Sequence, residues 1–216
     1  MSMTERLLHP EAGLRNFQLV LHGVHSLAHF YTDGDPQNLT AGQRLTLLRN
    51  DVGMPRTVSL TYVAGAAAGA RGPIDVDITG LDQFGNFQSE RLSIATVASG
   101  NTVTAEGAKI FSRVDSATIV AAIANADAGD TFQLGLDLSA PAGVSWGLPW
   151  RVGNIKDFTG LYLVEGGTHS IRPTSDITLN LDGMSFKLAA GSAPDNGNDR
   201  LLFIYLRSSV GRITPS

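Results

Sequence analysis

Three histidines lie close together near the start of the chain, at His22, His25 and His29. On a helix these spacings place all three imidazoles on one face, and three imidazoles can hold zinc with a position left open for water. Gly23 and the strand pattern around it argue against a helix, and on a continuous strand His22 points away from the other two. Ordinary surface or half-buried histidines are therefore favoured. The zinc site remains the weaker alternative, and no cofactor is predicted.

Acidic residues point to two other kinds of chemistry. Asp33–Asp35 and Asp195–Asp199 resemble pieces of calcium-binding loops, but neither has the ligand spacing or the terminal glutamate of an EF-hand, so simple turns are favoured. Asp75 and Asp77 share one face of a predicted strand, about 7 Å apart by strand geometry, and such pairs act in glycoside hydrolysis. No aromatic-rich sugar platform and no Gly-x-Ser-x-Gly elbow accompany them. An enzyme is therefore not predicted, and a carbohydrate-binding module or metal-dependent hydrolase stays as an alternative.

Two groups of apolar residues are candidates for a subunit interface. Trp146 and Trp150 lie in a segment rich in proline and glycine, where packing beneath a loop is favoured over an interface anchor, although tryptophan is enriched at interfaces. Leu7, Leu8 and Leu14 lie in an N-terminal stretch interrupted by proline and glycine. This stretch is interpreted as an arm that either lies on its own domain or reaches a neighbouring subunit.

Composition excludes several classes of protein. The chain has 216 residues, of which 43% are apolar, which is enough for a hydrophobic core. It has no cysteine, so disulfides, thiolate zinc sites and cysteine nucleophiles are excluded. Its net charge is −4 and it has no basic stripe, which argues against nucleic-acid binding. No apolar run approaches the roughly 18 residues of a membrane span, and no signal peptide is predicted.

The elements that would position these residues are predicted to be strands. Thr57–Tyr62, Ile74–Thr79 and Thr131–Leu138 alternate polar and apolar residues. Alternation with a period of two is typical of a sheet with one dry face and one wet face. The wet faces carry threonine, serine, aspartate and glutamine, which favours a protein that presents surfaces.

Turn chemistry connects these strands. Asp82–Asn86 combines an aspartate that can bond its own backbone with Gly-Asn, and is predicted to close a hairpin between strands 74–80 and 88–95. Ala64–Gly72 is interpreted as a loose loop tip, because a phosphate-binding loop would need a Gly-Lys-Ser/Thr ending.

Less regular stretches complete the N-terminal part. Phe17–His22 is predicted as a strand with Leu27–Tyr31 as its partner. Leu39–Arg49 fits a strand or a short helix, and a preceding turn favours the strand. Lys109–Val114 and Ala117–Ile123 are predicted as two strands that meet at a turn, because β-branched residues favour strand over helix.

The predicted fold is all-β, a β-sandwich or jelly-roll-like core with an N-terminal arm and an additional C-terminal β region. Its parts are the arm, 1–16, the core, 17–138, a crossing loop, 139–157, and the C-terminal region, 158–216, packed on or beside the core. The C-terminal strands are predicted at Gly160–Glu165, Ile177–Leu181, Ser185–Leu188 and Arg200–Arg207.

A succession of motifs runs from Pro55 to Val152. In chain order the motifs are the strand Pro55–Leu60, the hairpin Thr79-Gly80-Leu81-Asp82 with Gly85, the glutamate-bearing strand Ser89–Ile94, the strand Gly107–Val114 with Lys109 and Phe111, and Gly129-Asp130-Thr131. This succession resembles virion proteins of tailed bacteriophages, and in particular the β-sandwich head decoration or cement family. The pattern ends near Gly147-Leu148-Pro149. It departs from the simplest form at Ala95–Asn101, where a tight turn is usual, and the C-terminal β region is additional.

This resemblance implies a structural protein of the virion. The chain would be made in the host cytoplasm, bind the outer surface of the head and stabilise the shell. Its implied partner is the major capsid protein, bound by a homotrimer or another homo-oligomer, with no nucleic acid and no membrane. A tail, collar or baseplate component is the alternative within the same class.

Overall fold

The computed structural model describes residues 4–6, 15–22, 26–136, 144–148, 151–152, 154–181, 183–189, 191–192 and 200–208. The chain forms two compact units. The central unit comprises His25–Asp137 and Gly143–Pro149, and the terminal unit comprises Met1–Val24, Leu138–Ala142 and Trp150–Ser216.

Strands dominate both units, and no α-helix occurs among the described residues, so the all-β prediction is confirmed. The strands are β1 (Thr4–Arg6), β2 (Arg15–His22), β3 (Ser26–Asp33), β4 (Asp51–Arg56), β5 (Ser59–Val63), β6 (Ile74–Leu81), β7 (Phe87–Ile94), β8 (Thr102–Glu106), β9 (Phe111–Ile119), β10 (Thr131–Leu136), β11 (Trp146–Gly147), β12 (Phe158–Glu165), β13 (Thr168–Arg172), β14 (Ile177–Leu179), β15 (Ser185–Leu188) and β16 (Arg200–Ser208). Short 3-10 turns lie at Pro36–Asn38, Ile155–Asp157 and Thr174–Asp176.

The central unit is a sandwich of two antiparallel sheets. One sheet has the order β3-β10-β5-β8, and in the other β11, β4, β9, β6 and β7 are neighbours in that order. Apolar side chains from both sheets form one buried cluster, which explains why the strands alternate. On β6, Ile74, Val76 and Ile78 are buried while Asp75 and Asp77 are half-buried, as the period of two predicts.

The hairpin between β6 and β7 is confirmed, but the neighbouring strand β9 differs from the prediction. The two strands predicted at 109–114 and 117–123 are one continuous strand with a bulge, because Thr79 pairs with Ser116 while Gly80 pairs with Val114. The extra residue is Asp115, which the sequence indicated as a turn. A Cβ at Gly80 would lie 1.9 Å from the Arg113 carbonyl oxygen, so glycine is required opposite the bulge.

The stretch Leu39–Arg49 is not a strand, so that prediction is wrong. It crosses from one sheet of the central unit to the other and forms a single bridge, Arg44 to Thr118. Its backbone is satisfied by both sheets, because Leu45 N–H donates to Ala117 on β9 and Leu48 N–H donates to Phe30 on β3. Because backbone groups of this segment find hydrogen-bond partners on both sheets, its apolar residues do not require a strand conformation.

The terminal unit contains a sheet with the order β1-β2-β16-β12-β13 and an antiparallel pair, β14 and β15. One face of the sheet is dry, with Leu19, Ile204 and Leu161 paired side by side and all buried. The strand predicted at Arg200–Arg207 is confirmed as β16, which lies between β2 and β12.

Strand β2 therefore pairs with β16, and not with β3 as predicted. The division of the chain also differs from the predicted boundaries, since β2 belongs with the C-terminal strands. Strand β1 pairs with β2 at positions 4–6 of the predicted arm. Strands β4, β8 and β13 were not predicted. Strand β11 lies in the predicted crossing loop 139–157, and its pairing with β4 shows that this part is not a loop.

Candidate functional site

The Asp130 carboxylate lies at the centre of a buried polar network in the central unit. Asp130 and Arg71 are both 0% exposed, and the guanidinium donates from Nε to Oδ2 at 3.0 Å and from Nη2 to Oδ1 at 3.1 Å. The Tyr62 hydroxyl donates to Oδ2 at 2.8 Å, and the backbone N–H groups of Gly65 and Asp127 donate at 2.7 and 2.9 Å. Burial opposes the charged form, but the hydrogen bonds outweigh it and hold the pKa of Asp130 well below its usual range. The carboxylate is therefore ionised and engaged, which suits a structural anchor.

Arg71 also ties down the loop that the sequence analysis interpreted as loose. Its Nη1 donates to the carbonyl oxygens of Ala67, at 2.8 Å, and Gly69. Residues 66–70 are exposed, but the ends of Ala64–Gly72 are fixed by the Asp130 network. This network was not predicted from the sequence, where the available signal was the lone charge of Arg71 in a run of alanine and glycine.

Glu90 on β7 holds the loop that precedes β9. Its carboxylate accepts from the backbone N–H of Ala108 at 2.6 Å and of Lys109 at 3.2 Å, and Lys109 Nζ donates to the Ser89 carbonyl at 2.6 Å. A Cβ at Gly107 would lie 2.7 Å from Glu90 Oε2, so glycine admits the carboxylate here. The glutamate-bearing strand therefore holds the Gly-x-Lys motif in place through hydrogen bonds from Glu90 to its backbone.

Asp82 caps the turn of the β6–β7 hairpin. Its Oδ1 accepts from the backbone N–H of Phe84 at 2.8 Å and of Asn86 at 2.9 Å, while Oδ2 accepts from the Asn86 side chain at 3.1 Å. Gly85 has a φ of +85°, a conformation that favours glycine. The turn chemistry predicted from the sequence is therefore present.

The three candidate zinc ligands are only partly described. His29 is buried, its Nε2 donates to the Asp51 carbonyl at 2.7 Å, and its ring meets Phe30 edge to face. Only the backbone of His22 is described, on β2 of the terminal unit, and His25 lies outside the described residues. Within the described part of the chain, no three potential metal-ligating side chains come together.

The acidic candidates are used in local structure where they are described. Asp33 Oδ1 accepts from the Asp35 backbone N–H at 2.9 Å, and Asp35 Oδ2 accepts from the Asn38 side chain at 2.9 Å, which is the favoured turn. Asp77 forms an ion pair with its cross-strand partner Arg91, at 2.7 and 2.8 Å. The Asp77 carboxylate is therefore paired with the Arg91 guanidinium and not with a second carboxylate. The range 195–199 lies outside the described residues.

Trp146 is 1% exposed and packs in the core, which is the favoured interpretation of the sequence. The Arg56 guanidinium lies 5.1 Å from the centre of its ring, a cation–π distance. In this position the indole is not on the surface, so an interface role would require it to leave the core. The other interface candidates, Leu7, Leu8, Leu14 and Trp150, lie outside the described residues.

Two surface patches of the central unit were not found from the sequence. In the described part of this unit, the large apolar side chains that stand exposed are Leu48, 64%, Phe84, 44%, and Phe87, 71%. Phe84 and Phe87 belong to the hairpin tip, residues 82–87. Leu48 belongs to a shallow depression of about 340 Å³ that Arg44, Arg49 and Asp115 also line, here called the Arg44–Arg49 cleft.

No protein-family model, curated protein or solved structure matches this chain. Among the described residues, no helix has the length and apolar character needed to cross a membrane.

Proposed function

We propose that the chain is a structural protein of a tailed-bacteriophage virion that binds the exterior of the head as a decoration, or cement, protein. In this role a homo-oligomer, with a trimer expected from the resemblance, contacts the major capsid protein and reinforces the shell. The protein is made in the host cytoplasm and acts without catalysis or a cofactor.

The observation that supports this role is how the chain uses the carboxylates of the motifs. Asp82 caps a turn, Glu90 holds the loop before β9, and Asp130 joins several segments in the core. A hydrolase needs at least one such group directed at a substrate. Carboxylates that brace loops instead suit a scaffold whose surfaces are held rigid, because rigid surfaces lose less conformational entropy when they bind.

The test is co-sedimentation of the purified protein with expanded capsids of the candidate phage, with unexpanded capsids and capsids of an unrelated phage as controls. We expect saturable binding to expanded capsids and a higher temperature of capsid disruption. Protein that stays in the supernatant at saturating concentration would overturn the proposal. Rings or tubes in electron micrographs would favour the tail alternative, and saturable polysaccharide binding the carbohydrate-binding one.

A further inference from the structure

The hairpin tip presents two phenylalanines on a turn that is already ordered. The Asp82 carboxylate accepts hydrogen bonds from three N–H groups of Phe84 and Asn86, and the Asp82 N–H donates to the Asn86 carbonyl at 2.9 Å. Side chains on a braced turn lose little conformational entropy on docking. Burying apolar rings that are 44% and 71% exposed removes substantial surface from water. These features suit the tip to docking against a protein surface that offers both apolar contact and positive charge.

The Arg44–Arg49 cleft offers positive charge and an exposed apolar side chain, which complement the tip. Arg49 makes no hydrogen bond or ion pair with any described residue. Arg44 makes one long hydrogen bond, 3.4 Å, to the Asp115 carbonyl. The Asp115 carboxylate is already neutralised by Arg113, at 2.6 and 3.1 Å. The cleft therefore offers two available guanidiniums beside an exposed leucine, in a chain whose net charge is −4.

The chemistry of the tip matches that of the cleft on three counts. Aromatic faces attract guanidinium groups, and phenylalanine rings can cover Leu48. The Asp82 carboxylate brings a negative charge towards a basic surface. Among the described residues of one copy both patches stand open, so each is available to a second molecule.

We propose that the hairpin tip of one copy docks in the Arg44–Arg49 cleft of a second copy. Phe84 and Phe87 then cover Leu48, and their rings lie against the two guanidiniums. Because the two patches differ, the contact is heterologous unless a two-fold axis repeats it. It closes either a ring, such as a trimer, or a dimer with two reciprocal contacts.

The experiment measures mass by light scattering and sedimentation equilibrium, without capsids, for the wild type and three variants. The cleft variant is Leu48→Glu, and the tip variant carries Phe84→Ser with Phe87→Ser. The control is Leu181→Glu, which changes a fully exposed leucine outside both patches. Circular dichroism and the unfolding temperature verify that each variant is folded.

The expected result is an oligomeric wild type and control, with the cleft variant and the tip variant both monomeric. A mixture of these two monomers is the sharpest measurement. It pairs an intact tip on one with an intact cleft on the other, so heterodimers should form.

Four outcomes overturn the proposal: a monomeric wild type, variants that keep the wild-type mass, loss of assembly in the tip variant alone, or two monomeric variants that do not associate when mixed. Loss in the tip variant alone would indicate tip-to-tip packing. The contact does not depend on the virion role, because no capsid is present in this measurement. An oligomer that ignores capsids would overturn only the proposed function.

Discussion

The Asp130 carboxylate joins segments that are distant in the chain, so its removal should have a large effect on stability. We expect Asp130→Ala to lower the free energy of unfolding by about 3 kcal/mol, because the substitution leaves the Arg71 guanidinium buried without its counter-ion. Urea denaturation measures the change. The matched control is Asp77→Ala, which breaks an exposed ion pair with Arg91 and should cost less than about 1 kcal/mol. Equal losses in the two variants would show that the buried network is not an anchor.

The same carboxylate should make stability depend on acid pH. Its pKa is depressed in the folded protein, while the unfolded value is about 3.9. The stabilisation is therefore fully present above about pH 5 and is lost as the pH falls towards the folded pKa, because unfolding takes up a proton there. Unfolding temperatures between pH 6 and pH 2 should fall more steeply for the wild type than for Asp130→Asn. Parallel profiles would contradict the assignment.

For single residues, the sequence predicted roles that depend on neighbouring positions, but not contacts between positions far apart in the chain. Asp82 caps a turn of its own neighbours, so its role could be predicted from a few consecutive residues. Arg71 and Asp130 are 59 positions apart, and neither is flanked by a pattern that indicates burial. His29 is a related case, because the sequence favoured an ordinary histidine there, but its hydrogen bond to the Asp51 carbonyl, 22 positions away, could not be predicted.

The bulge in strand β9 depends on Gly80 in the facing strand β6. We expect Gly80→Ala to destabilise the protein by about 2 kcal/mol or more, because the new Cβ would meet the Arg113 carbonyl and the backbone would have to move. Thermal unfolding measures the change. Gly34→Ala is the control, since a Cβ there meets nothing within 4 Å. If both variants unfold at the same temperature, the bulge adapts and the steric argument is wrong.

Strand pairing shows why elements are easier to predict than their partners. The β6–β7 hairpin needs only strands that alternate polar and apolar residues and a turn between them, and a run of consecutive residues shows both. The pairing of β2 with β16 joins Arg15–His22 to the far end of the chain, and alternation gives no information on the partner. The strand predicted at Leu39–Arg49 is wrong for another reason, because its leucines contact first one sheet and then the other.

Each of the two units is assembled from segments that are not contiguous in the chain. The predicted boundary followed the change in composition after Leu138, which does separate most strands of the central unit from those of the terminal unit. It misplaced β2 and β11, because a single strand has too few residues to alter the local composition. The all-β class was predictable since it depends on many strands at once, and errors in single elements do not change it.

The contact between copies should also affect how tightly the protein binds a capsid. An oligomer that bridges capsomers binds through several copies at once, and linked sites gain roughly 10²–10⁴ in overall affinity. We therefore expect the Leu48→Glu protein to bind expanded capsids at least about a hundredfold more weakly than the wild type, while Leu181→Glu binds normally. Quantitative co-sedimentation across a concentration series measures this. Leu48 in the cleft would be covered by another copy and not by the shell, so the lost affinity should return when the monomers are cross-linked. Equal affinity of monomer and oligomer would mean that each copy binds the shell alone, and cross-linking that restores nothing would place Leu48 in the contact with the shell itself.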